Sequence, residues 1–172
     1  MTDAAEPTTT TTTTTDRSLY DRLGGLPVVT FLAKTLVQRA MLNPTIGHIW
    51  NHKSQAEVQE EINGFVEFLG QHWGGPHTYT GPDMATAHRG MGVTEEYWTA
   101  LFDDIVTPAY AEFGLPEREA KEIDDFLRSF KDVVVGSPSF KDVLLEHPDM
   151  DVLAGMESVG VHWPAPRGAA AG

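Results

Sequence analysis

A chain of 172 residues with 41% hydrophobic content fits one globular domain, which at this size buries roughly 70% of its unfolded surface. The net charge of −13 speaks against nucleic acid and anionic membrane surfaces as partners, and zero cysteines exclude disulfides, thiolate-held iron and cysteine nucleophiles. No apolar run approaches the ~20 residues of a membrane span and the N-terminus lacks a signal-peptide pattern, so a cytoplasmic protein is expected.

Residues 1–17 carry an unbroken threonine tract, Thr8 to Thr15, with nothing to bury, and are expected to be a disordered tail. Pro27 suits a first helical turn; Val29, Leu32, Leu36 and Ala40 then recur at helical spacing until Asn43 and Pro44 stop the run. Ser54 and Glu57 form a capping box ahead of the stripe Val58, Ile62, Phe65, Leu69 and Trp73. Thr94, paired with Tyr97, opens a helix through Trp98, Leu101, Phe102, Ile105 and Ala109, in which Pro108 predicts a kink. Ile123, Phe126, Leu127, Phe130, Val133 and Val134 mark a last long helix. After Gly136 the pattern weakens: Phe140, Val143, Leu144 and Leu145 make one short amphipathic turn before His147 and Pro148, and the Gly-, Ala- and Pro-rich end is expected to be mobile. No stretch alternates with period two. The reading is an all-α domain over residues 18–136, with an extension over 137–172 that is partly disordered.

A bare helical bundle would explain these stripes. It has little use for the segment GGPHTYTGPDMATAHRGMG, Gly74 to Gly92, which sets one histidine inside a helix of barely two turns. Gly74, Gly75 and Pro76 end the preceding helix, Gly81 and Pro82 break the loop, and Gly90 and Gly92 close the short helix after it. Met84 lies one turn before His88, and Ala85 and Ala87 are small, so this helix offers a flat surface around one imidazole. A planar cofactor suits such a surface, with His88 as its metal ligand.

SLYDRLGG at Ser18 to Gly25, GGP, YTG, a methionine four residues before a histidine, and G-x-G-x-T before an aromatic helix together resemble the truncated (two-over-two) haemoglobins, nearest to group I. The likeness covers roughly residues 18–135. It implies a globin-like two-over-two helical sandwich with short A and F helices, a non-covalent haem b, and His88 as proximal iron ligand. Met84, Arg89, Tyr79, Trp98, Leu101 and Leu69 are the expected remaining neighbours of the haem, and Lys53 and Arg89 the cations nearest its propionates.

The other side of the haem departs from the family pattern. Where group I commonly carries a tyrosine that hydrogen-bonds oxygen, counting from SLYDRLGG reaches Val37. Counting back from GGP, the usual polar distal positions fall on Glu61 and Phe65, although the chain between Trp50 and Glu57 is about three residues longer than usual. Glu61 shares a helix face with Phe65 and Phe68, so it either points into the pocket or sits at its edge facing outward. Trp50 matches the corner aromatic that packs on haem, and is equally good as a core tryptophan. His48 and His52 flank it; a corner folded inward brings either to the iron, whereas a surface corner turns both to water.

The resemblance thus implies a haem protein for oxygen, nitric oxide or carbon monoxide, with a reductase as a candidate partner. Loss of the tyrosine weakens an oxygen carrier. A carboxylate over the iron would serve peroxide or nitric-oxide chemistry, with Glu61 as acid-base group, and a haem-free interaction or sensor domain is the third reading.

Overall fold

A computed structural model describes residues 17–146. The expected disorder of the threonine tract and mobility of the final residues concern segments outside the described residues. The described chain is helical: α1 (Leu19–Leu23), α2 (Leu26–Leu42), a 3₁₀ turn (Gly47–Trp50), α3 (Gln55–His72), α4 (Met84–His88), α5 (Glu95–Ala100), α6 (Thr107–Glu112), α7 (Glu117–Arg128), α8 (Lys131–Val134) and α9 (Phe140–Glu146). Among the described residues no strand forms; two isolated bridges link Gly90 and Met91 to Ser139.

Local chemistry starts α3 and α5 where the spacing predicts. Ser54 accepts the Glu57 amide while the Glu57 carboxylate accepts the Ser54 amide, and Thr94 accepts from the Tyr97 amide. Between α5 and α6 the helix runs on through a π segment, Leu101–Val106, in which the Thr107 amide reaches back to the Phe102 carbonyl. Pro108 follows at once. Its ring has no N–H for the Asp104 carbonyl and clashes with it in a regular helix, and the wider turn makes room.

One expectation is corrected here. The last long helix does not run unbroken to Val134: α7 ends at Arg128, because the Ser129 hydroxyl donates to the Phe126 carbonyl, 2.7 Å away, and displaces the next helical amide. Val133 is left half exposed and Val134 buried.

Two helices lie over two. α2 crosses α3; α3 meets α7 through Phe68, Trp73 and Phe126; α2 also packs on the π segment. Tyr110 on α6 donates its hydroxyl to Asp124 on α7 at 3.3 Å, and the Arg128 guanidinium lies 3.9 Å over the Phe102 ring. Phe102, Leu69, Ile105, Val29 and Val106 are the most deeply buried side chains, and each contributes roughly 1.5–3 kcal/mol by leaving water. α1 is tied over the end of α3 by the Tyr20 amide, which donates to the Trp73 carbonyl at 2.9 Å. There Gly74, at φ +80°, lets the chain turn away; a Cβ on it would stand 2.8 Å from that of Ser18.

Candidate functional site

The site is built on α4, a helix of five residues that is too short to hold itself. Asp83 caps it: its carboxylate accepts the Thr86 amide at 2.7 Å, which keeps its pKa below the ordinary aspartate range. Tyr79 braces the loop before it. Its hydroxyl donates to the Pro82 carbonyl at 2.8 Å, its amide to the Gln71 side chain at 2.8 Å, and its ring stands edge-on to Phe68. Burial, then the nearby Asp83 charge, raises the Tyr79 pKa.

At the end of α4, His88 is partly buried, and its ring Nδ1 lies 2.9 Å from the Met84 carbonyl oxygen. A carbonyl can only accept, so in the neutral imidazole Nδ1 carries the proton and Nε2 keeps a lone pair for a metal. Met84 is partly buried against the core around Phe68; Ala87 is partly covered and Ala85 is exposed, so the flat surface expected beside the imidazole is narrower than the sequence implies.

The apolar interior falls into three clusters. Leu36, Tyr97 and Leu101 pack between two of them and Phe65, Met84 and Met91 at their edges, all only partly buried although they come from α2, α3, α4, the turn after it, α5 and the π segment. Val37 is buried in the first cluster, which places a small aliphatic group on α2 one residue from Leu36. Trp98 is buried on Phe102, with ring centroids 4.9 Å apart. Leu69 is 1% exposed inside the α2–α3 core, and Phe68 is sealed among Tyr79, His72, Phe126 and Phe130. Phe65, three residues earlier on the same helix face, is only partly buried.

The corner before α3 brings three expected site residues together. The Trp50 indole N–H donates to Glu61 at 3.1 and 3.2 Å, and Lys53 Nζ lies 2.6 Å from the same carboxylate. The Glu61 carboxylate thus faces the corner. Lys53 is committed to Glu61 and Arg89 to Glu146 on α9, so the two cations expected at the propionates are each already paired within the chain. His48 is exposed, with Nε2 3.2 Å from the Tyr97 hydroxyl; His52 is partly buried.

The donor set suits iron in a macrocycle. One imidazole with a free Nε2, a carbonyl that orients it and partly open apolar side chains fit a flat, apolar group with its metal ligated from one side. Sequence reasoning missed Met91, whose only signal is its place between two glycines, and Pro138 and Ser139, which pack on the loop after His88 and carry no signal.

Residues 18–135 match the family model of the bacterial-like globins. Over 106 residues the chain is 26% identical to a Group 1 truncated hemoglobin GlbN of Mycolicibacterium paratuberculosis, covering 62% of this chain and 75% of that protein. It is 25% identical over 118 residues to the protein of the same name from Nostoc sp., covering 69% and 97%. The fold is similar to that of truncated hemoglobin from Tetrahymena pyriformis in its Fe(III) form, with a TM-score of 0.62 at 18% identity over 70% of this chain and 100% of that one.

Proposed function

Because the chain belongs to the bacterial-like globins, and among them to the group I truncated haemoglobins, we propose that it holds haem b on His88 and binds oxygen, nitric oxide or carbon monoxide on the opposite side. Family membership supports a globin-type haem protein for diatomic ligands. The observation that carries the histidine is the 2.9 Å bond from its Nδ1 to the Met84 carbonyl, which leaves Nε2 as a ligand atom.

Haem supplies the iron at which a diatomic molecule binds, and with no cysteine to form thioether links it is held non-covalently. The chain's residues do the rest. Met84 orients the imidazole through its carbonyl, Leu36, Phe65, Met91 and Leu101 offer apolar surface, and the Trp50–Glu61–Lys53 group closes the corner. A peroxidase-like reading leans on Glu61 as a free acid-base group, yet its carboxylate is already engaged twice. Oxygen carriage leans on a distal donor, which Val37 lacks. The absence of cysteine suits a reducing cytoplasm, where a reductase could keep the iron ferrous.

Absorbance spectra of the purified protein, oxidised, reduced, and reduced with carbon monoxide, test this reading. An intense Soret band that shifts with carbon monoxide is expected, and His88→Ala should lose haem or change its ferrous spectrum. A colourless chain that takes up no added haemin, or an unchanged ferrous spectrum in His88→Ala, overturns it.

A further inference from the structure

We propose that residues 136–146 form a clasp that positions His88, with Ser139 and Val143 as its positioning residues; this rests on the haem reading above. The segment lies against the turn that follows α4. The Pro138 carbonyl accepts two amides from that turn, Gly90 at 2.9 Å and Gly92 at 3.2 Å, and Ser139 bridges Gly90 and Met91. One residue further, the Val93 amide donates to the Ser137 hydroxyl at 3.2 Å, and the Gly136 amide donates back to the Val93 carbonyl at 2.8 Å. Four hydrogen bonds therefore secure a stretch of four residues that begins two beyond His88.

That stretch continues into His88 itself. The Met91 amide donates to the His88 carbonyl at 3.1 Å, so a shift of the turn moves the histidine backbone. Arg89, next to His88, pairs with Glu146 at the far end of α9. α9 is anchored in turn: Val143 is 2% exposed, and Ser139 and Asp142 cap each other, with the Ser139 amide 2.9 Å from the carboxylate. The approach is close enough to exclude a side chain, because a Cβ on Gly92, at φ +60°, would stand 2.9 Å from that of Ser139. A five-residue helix is too short to hold itself and takes its position from what is packed on it and tied to it. Here α8 packs on it, Asp83 caps it from before and the clasp ties it from after.

The test uses the full chain and two variants outside the proposed iron site, Val143→Ala/Glu146→Gln and Gly92→Ala, with Ile123→Val as a control for general loss of stability. Amide exchange at Gly90 and Gly92 in the haem-free protein should rise by about tenfold or more in both variants and not in the control. In the haem-loaded ferrous protein, the iron–histidine stretching band by resonance Raman should shift or broaden, and haem should pass to an apo-globin acceptor at least severalfold faster. Raised exchange with the parent's band and haem-loss rate means that the segment does not position His88, and so does unchanged exchange. If the parent chain itself takes up no haemin, the haem reading falls and the clasp's role with it; variants that behave like a haem-binding parent overturn the clasp alone.

Discussion

Trp50 donates its indole N–H to Glu61, 11 residues further along the chain, and Lys53 sits on the same carboxylate, so a corner of three residues is closed by one acid. Glu61→Gln keeps an oxygen for the indole and loses the ion pair. Because both charged side chains are partly exposed, the loss in stability should stay within about 1 kcal/mol. An engaged carboxylate is a poor proton shuttle, so the reaction with peroxide should change by less than about threefold. Stopped-flow mixing with peroxide checks this, and a fall of roughly 10² would restore Glu61 as an acid-base group.

Val37 is buried on α2 beside Leu36, and it brings no hydrogen-bond donor. Val37→Tyr should slow loss of oxygen from the ferrous protein by about tenfold, the worth of one ordinary hydrogen bond of ~1.4 kcal/mol, while filling the buried site costs roughly 1–3 kcal/mol of stability. Oxygen release and thermal melting of the same variant measure the two effects separately.

Tyr110 is half-buried, and burial, followed by the Asp124 charge, raises its pKa well above the ordinary value of 10.0. A raised pKa means that the folded state keeps the proton longer than the unfolded chain. Its contribution is therefore complete below about pH 10 and is lost as pH climbs through the raised value. Urea unfolding at a series of alkaline pH values should show this loss, and Tyr110→Phe should flatten it.

On the acid side, the hydrogen bond from Arg22 holds the Glu119 carboxyl below the usual glutamate value of 4.5. The pair lies 2.9 Å apart and joins α1 to α7, and both side chains are largely covered. A lowered pKa gives stability that is present above pH 4.5 and is lost as pH falls through the folded value. Arg22→Met should cost about 2 kcal/mol at neutral pH, between exposed pairs at about 1 and buried pairs at 3–5. Glu119→Gln should make stability less steep in pH below that point; equal slopes in variant and parent would contradict this.

What could be read from the residues alone was whatever is decided within a few positions along the chain. Ser54 with Glu57, Thr94 with Tyr97 and the stripe from Val58 to Trp73 act at helical spacing and announce the helices, while the glycines around His88 break the chain on either side of it and announce the isolated imidazole. The break at Ser129 escaped because one hydroxyl outweighed an unbroken apolar stripe. Tertiary structure alone brought Trp50 and Lys53 to the Glu61 carboxylate. It alone also spent Arg89 on Glu146, 57 residues away, and laid Pro138 and Ser139 along the turn after His88. Contacts at such separations leave no period in the sequence, because closing a long loop depends on packing of the whole chain rather than on any local preference.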